Sequence, residues 1–327
     1  LHERWPQVPR IALTATATSQ TRQEIEARLQ LQDAQAFISS FDRPNIRYEI
    51  VEKIDQRRQL LHFISENHLG DSGIVYCSSR SRTESIAEFL CKKGIQALPY
   101  HAGLDLATRT GNQQRFQQEE GIVMVATIAF GMGINKPDVR FVAHIDMPKS
   151  IEGYYQETGR AGRDGLPASA WMAYGLNDVV QQRKMIEVSN GDEDFKKRSL
   201  RQLNAMLALC ECATCRRTQL LAYFGQNMDD CGNCDVCLNP PKLWDGTQAA
   251  QKFLSAVYWL HRKYEQRFGA KHIIDILQGE LNQRVQDNHH QELSVFGIGK
   301  DLTAERWNSV VRQLLARSYL TVDNQGY

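Results

Sequence analysis

The sequence predicts an α/β fold in which a parallel sheet is covered by helices, followed by a helical cysteine-bearing domain and a carboxy-terminal winged helix. Three observations lead there. Between residues 44 and 177, short apolar runs alternate with amphipathic helical patterns, as in a sheet whose strands are joined by helical crossovers. After residue 189, helical patterns follow without intervening strands up to Cys237, and six of the eight cysteines lie between Cys210 and Cys237. Beyond Pro240-Pro241, a stiff linker, two helical segments precede a third that runs into a β-type stretch.

At 327 residues and 42% hydrophobic, the chain exceeds what one core usually fills, so two or three domains are expected. A formal net charge of +1 neither points to a polyanionic partner nor excludes one. No apolar run approaches the roughly 20 residues that cross a bilayer, and residues 1–10 lack a leader pattern, which predicts a cytoplasmic protein with no membrane partner. In a reducing compartment the clustered cysteines point to metal.

Residues 9–14 read as a buried strand through Ile11, Ala12 and Leu13. It has no earlier partner, so further chain upstream is expected. Gly73-Ile-Val-Tyr-Cys77 is a continuous apolar run suited to a strand buried on both faces. The helix after it is predicted to start in a capping box of Ser81 with Glu84, to place Ile86, Phe89 and Leu90 on one face, and to stop at Gly94. Further strands are expected at 96–100, 122–126, 140–145 and 170–174. Helices are expected at 249–264 and 273–277, and another at 303–315 with Trp307, Val310, Val311, Leu314 and Leu315 in the core. A strand at 319–322 would begin the wing. The boundaries that follow are 1–43, the tail of a preceding lobe; 44–178, the α/β lobe; 179–240, the zinc-binding domain; and 241–327, a winged helix cut at its wing.

The most specific segment is Tyr154-Tyr-Gln-Glu-Thr-Gly-Arg-Ala-Gly-Arg163. Gln156, Arg160 and Arg163 are three to four residues apart and can project from one helical face or its end, while Gly159 and Gly162 admit a close approach. Two guanidiniums so placed can clamp a polyphosphate, because each planar fork stays charged and engages two oxygens. Ser78 and Ser79 close a strand before a helix amino terminus, where free N–H groups favour an anion. Thr127 occupies the equivalent place after the strand ending at Ala126, at the carboxyl edge where open α/β sheets bind ligands.

With its flanks, Gly-Arg-Ala-Gly-Arg-Asp-Gly165 resembles motif VI of superfamily 2 helicases in its RecQ form. Five further segments resemble that family in its order: Leu13-Thr-Ala-Thr-Ala17 as motif III, Ser40-Phe-Asp-Arg-Pro-Asn45 as the crossing into the second lobe, and Ile74-Val-Tyr-Cys-Ser-Ser-Arg80 as motif IV. Tyr100-His-Ala-Gly103 resembles the short motif after it, and residues 125–137 resemble motif V. The resemblance implies a RecA-like motor lobe. It assigns Arg160, Arg163 and Gln156 to catalysis on ATP, and Gly131, Gly133 and Asn135 to ATP binding. Thr16, Ser78, Ser79, Arg80, His101 and Thr127 would contact DNA. Asn135 stands where many relatives have aspartate, and His101 also reads as a satisfied structural histidine.

No G-x-x-x-x-G-K-[ST] and no D-E-x-H box occur: Gly297-Ile-Gly-Lys300 is followed by Asp301, and Asp192-Glu-Asp-Phe195 lies in a linker. ATP and Mg²⁺ binding would therefore need a first lobe. Two C-x2-C pairs would choose Cys212, Cys215, Cys234 and Cys237 as zinc ligands. The RecQ resemblance selects Cys215, Cys231, Cys234 and Cys237 instead, a closed and so structural site. Residues 250–327 carry ten Lys or Arg against eight Asp or Glu, so any DNA-binding face there depends on arrangement. The resemblance implies an ATP-dependent 3′–5′ DNA helicase acting in repair, recombination or replication on single-stranded and forked DNA, associated with the nucleoid. This chain alone would be inactive. The rival readings are a non-catalytic zinc and winged-helix adaptor and an RNA helicase of the DEAD-box type.

Overall fold

The computed structural model describes residues 4, 5, 7–131 and 134–321. They form two compact units that interleave in sequence: residues 1–173 with 214–240, and residues 174–213 with 241–327. The 179–240 segment expected as one domain is thus divided between them.

The first unit holds α1 (Ser19–Arg28), β1 (Ile46–Glu52), α2 (Gln56–Asn67), β2 (Gly73–Tyr76), α3 (Arg80–Lys92), β3 (Ala97–Tyr100) and α4 (Leu106–Gln118). After these come β4 (Val123–Ala126), β5 (Phe141–His144), α5 (Ile151–Thr158) and β6 (Ala168–Tyr174). The strands make one sheet in the order β1-β6-β5-β2-β4-β3. The pairs β2–β4, β2–β5, β3–β4 and β5–β6 are parallel, as continuous apolar runs separated by helices require. Alternation along each strand divides the core. Val75, Val123, Val125 and Phe141 face Leu60, Phe63 and Ile64 of α2 and Ile86 and Leu90 of α3. Ile74, Met124 and Val142 face Phe116 of α4 and Phe130. Glycine is required at position 73, since a Cβ there would meet the Phe141 ring at 2.1 Å.

Three expectations need correction. Residues 9–14 form no strand, and Ile11 and Leu13 are 81% and 85% exposed; among the described residues the strands all come from 46–174, and none pairs with this segment. The cap of α3 is Ser79 rather than Ser81: Ser79 is extended and its Oγ accepts from the Arg82 N–H, which places Ser81 inside the first turn. Gly94 does stop the helix, at φ +83°. Residues 319–321 are not a strand, and Val322 lies outside the described residues.

The cysteine-bearing segment, with α8 (Arg216–Tyr223) and α9 (Asp235–Leu238), packs on β1. Asp235 accepts from the Ile50 N–H at 3.0 Å and pairs with Arg216, also at 3.0 Å. Buried Arg217 donates to the carbonyls of Pro44 and Ile46. Phe224 stacks on Phe41 with centroids 4.7 Å apart.

The second unit is helical: α6 (Leu176–Glu187), α7 (Glu193–Glu211), α10 (Thr247–Tyr264), α11 (Ala270–Gln278), α12 (Gln283–Asp287), a 3-10 turn (His290–Glu292) and α13 (Ala304–Ala316). Asp192 caps α7 by accepting from the Phe195 N–H, so Asp192-Glu-Asp-Phe195 is a helix start whose acids face the positive end of the dipole. Trp307, Val310, Val311, Leu314 and Leu315 are all buried. The Trp307 indole donates to the Gly299 carbonyl at 3.1 Å, which gives the Gly297–Lys300 turn a packing role.

Candidate functional site

The expected phosphate clamp is built on α5 and the turns after it. Ser150 caps α5 by accepting from the Gly153 N–H, and the helix ends at Gly159. Gln156 therefore lies in the last helical turn, while Arg160 and Arg163 lie on the irregular turns beyond, not on one helical face. Those turns are held from below by two side chains of the 40–45 segment, Arg43 and Asn45, which no pattern in the sequence assigns a role. Arg43 donates to the carbonyls of Gly159, Ala161 and Gly162 at 3.0, 2.9 and 3.0 Å. Asn45 donates to Gly162 and Leu166 at 2.8 and 2.9 Å. A helix end leaves such carbonyls without intrahelical partners, and here a fork and an amide take them up. Gly162 sits at φ +58°, with Asn45 Nδ2 only 2.4 Å from where a Cβ would stand.

So supported, both arginines reach back to the loop after β4. Arg160 Nη1 donates to the Gly131 carbonyl, Arg163 Nη1 donates to that of Ile134 at 2.8 Å, and Tyr76 Oη donates to that of Phe130 at 2.9 Å. Burial, then the like charges of Arg160 and Arg43, lowers the Arg163 pKa. Arg160 Nε is buried with no hydrogen-bond partner. Crowded cations whose hydrogen bonds are spent on loop carbonyls hold capacity for an anion. Gln156 Nε2 donates to Thr16 Oγ1 at 2.5 Å, so Thr16 is tied to the clamp itself. Asn135 is exposed; Gly133 lies outside the described residues.

The other expected contacts line one edge of the sheet. Tyr76 and Tyr100 both pair with Ala126, so β2, β3 and β4 end level and the residues after them stand side by side. Ser78, Ser79 and Arg80 are exposed, and Thr127 is half-buried with its N–H on the Tyr100 carbonyl. Ser79 Oγ is spent on the cap of α3. His101 is buried: its Nδ1 accepts from the Gly103 N–H at 3.2 Å, and its Nε2 faces Glu84 Oε1 at 3.0 Å. With both ring nitrogens occupied, it shapes this edge from beneath.

The structure brings together Cys215, Cys231, Cys234 and Cys237, whose sulfurs all lie within 4.8 Å of one another. Cys231 and Cys237 are 3.9 Å apart, and Cys234 and Cys215 are 4.0 Å apart. A tetrahedral zinc with Zn–S of about 2.3 Å needs sulfurs about 3.8 Å apart, so the quartet fits. Cys212 instead donates to the Leu209 carbonyl at the end of α7. Burial raises the Cys215 pKa, but hydrogen bonds from Thr218 and Cys231 outweigh it and bring the thiol down to about 6, which favours the thiolate that binds metal.

Three family comparisons match consecutive parts of the chain: the Helicase conserved C-terminal domain over residues 52–165, RecQ zinc-binding over 176–238 and the RQC domain over 240–327. The chain belongs to the RecQ family. The ATP-dependent DNA helicase RecQ of Pasteurella multocida is 48% identical over 97% of this chain and 49% of its own length. That of Haemophilus influenzae is 48% identical over 95% and 49%, and that of Bacillus subtilis is 34% identical over 96% and 52%. The chain thus spans about half the length of these curated RecQ relatives. Its parallel-sheet unit is the RecA-like lobe of the RecQ fold, and its four-cysteine cluster agrees with the RecQ zinc-binding match. No described helix is long and apolar enough to cross a membrane.

Proposed function

We propose that this chain is part of an ATP-dependent 3′–5′ DNA helicase and supplies half of its ATPase site. The observation that carries the reading is the convergence of Arg160 and Arg163 on the carbonyls of Gly131 and Ile134, braced by Arg43. In this reading, ATP and Mg²⁺ held by a first lobe draw the two guanidiniums off those carbonyls and onto the γ-phosphate, where they neutralise developing charge. Gln156 couples this movement to Thr16, and Gly131, Gly133 and Asn135 meet the nucleotide. Ser78, Ser79, Arg80 and Thr127 contact the DNA strand, with His101 shaping their edge. Zinc on Cys215, Cys231, Cys234 and Cys237 is structural, and the RQC segment grips duplex DNA near the fork. Along the sequence these modules divide at residues 43, 178 and 240, although 179–213 and 214–240 belong to different compact units.

The test is DNA-stimulated ATP hydrolysis by a protein carrying both lobes. An arginine in this role is worth about 10³-fold or more in rate, so Arg163→Ala should cost that much while zinc content and DNA affinity stay within about twofold. Arg163→Lys should rescue little, because a point charge lacks the fork. Turnover within a few-fold of wild type would remove the clamp, whereas no DNA-stimulated hydrolysis by the wild-type protein with both lobes would favour the adaptor reading.

A further inference from the structure

We infer that Asp146 is a positioning residue for the strand-contact edge, a buried carboxylate that aims Arg82, Lys53 and the 78–80 turn at the phosphate of a bound nucleic-acid strand. The inference deepens the strand-contact reading of Ser78, Ser79 and Arg80 and rests on it.

Asp146 follows β5 and is 8% exposed. Its Oδ2 accepts from the Ser78 N–H at 2.9 Å, and its Oδ1 accepts from Arg82 Nη1 at 2.7 Å and Lys53 Nζ at 3.1 Å. One carboxylate therefore joins the ends of three strands: Lys53 just past β1, Ser78 just past β2 and Asp146 just past β5. Arg82 adds the first turn of α3. Burial works to raise the Asp146 carboxyl; Lys53, the Ser78 N–H and Arg82 outweigh it and hold the group below the usual carboxylate range. It is ionised and fully engaged.

The arrangement is costly for an acid that only neutralises. Two cations and the amino-terminal turn of α3 converge on the one buried acid. Arg82 keeps a third of its side chain open to solvent while its Nη1 is fixed on Asp146. A cation held this way loses less freedom on meeting a phosphate than one that must be ordered first.

Positioning and charge predict opposite signs for Asp146→Asn. If charge alone matters, removing an acid beside the strand tightens binding. If position matters, the new amide cannot accept from all three donors, Arg82 and Lys53 lose their aim, and binding weakens. Affinity for a fluorescent oligothymidylate, measured by anisotropy at several salt concentrations, decides between them. Loss of a charge-assisted anchor predicts a roughly tenfold weaker complex, with the salt slope reduced by about one phosphate contact. In a Lys53→Met/Arg82→Met background, Asp146→Asn should cost clearly less than in the wild type, because two of the three donors it acts through are gone and only the Ser78 N–H remains. A general packing defect would persist there.

Unchanged or tighter binding by Asp146→Asn overturns the inference, as does an equal loss in the double-methionine background. Should Asp146→Asn unfold the lobe by circular dichroism, Arg82→Lys keeps the charge without the fork and is expected to weaken binding likewise. Wild-type affinity there is equally fatal. Arg80→Ala separates the two layers. If it weakens binding and Asp146→Asn does not, positioning alone fails; if Arg80→Ala has no effect, the strand contact fails and takes the inference with it.

Discussion

Acidification should destabilise the helical unit of residues 174–213 and 241–327 through one pair of buried imidazoles. His272 is 4% exposed and His290 is fully buried. His272 Nε2 faces His290 Nδ1 at 2.9 Å, and His290 Nε2 faces Gln266 Oε1 at 3.0 Å, while Gln266 Nε2 donates to Asn288. The Gln266 oxygen can only accept, so His290 carries its proton on Nε2 and accepts at Nδ1 from His272. The chain is consistent only with both rings neutral. A proton on His290 Nδ1 would set two N–H groups face to face; one on His272 Nδ1 would have no partner, since that atom is buried and unbonded. Burial first, then His290 and Arg284, lowers the His272 pKa from 6.5 to about 4. The unfolded chain therefore takes up the proton before the folded one. The stability from keeping His272 neutral is complete above the unfolded value and is lost as pH falls from 6.5 toward 4. Going from about pH 7.5 to about pH 5, this amounts to about 2 kcal/mol, a large part of a domain's stability. Urea titrations followed by circular dichroism at the two pH values, on wild type and His272→Gln, isolate it, because the other titrating groups cancel in the difference. A wild-type pH dependence no larger than that of His272→Gln would refute the reasoning.

Three further outcomes are expected. One zinc should bind per chain, lost in Cys231→Ser and kept in Cys212→Ser by metal analysis; structural zinc contributes on the order of 10 kcal/mol to such loops, so the former should also be poorly soluble. Gly162→Ala should lower stability by about 2 kcal/mol or more in thermal melts, since it forces a left-handed alanine against Asn45 and opens the carbonyl cradle. Affinity for a forked DNA duplex should fall as salt rises even without ATP, by titration of a fluorescent fork, and absence of binding at low salt would remove the duplex grip from this chain.

Residue order alone determined the parallel sheet, its helical crossovers and the edge where its strands end together. The reason is that these depend on local period and on turn residues: Gly73 to Tyr76 must be a buried strand, Gly94 must end a helix, and the run from Gln156 to Arg163 is specific enough to carry a resemblance. The four cysteines were present in sequence, but spacing alone would have paired Cys212 with Cys215. Only tertiary packing set Cys231 beside Cys215 and turned Cys212 toward the end of α7. β1 is absent from the expected strands, although Ile46, Tyr48 and Ile50 alternate with Arg47 and Glu49. Ile11 and Leu13 look like core by composition yet stand exposed, because burial belongs to a pair of surfaces and not to a residue. The roles of Arg43, Asn45 and Asp146 were the least legible. Each acts on partners 64 to 121 residues away along the chain, and such meetings are decided by the order of strands in the sheet, which no local pattern encodes.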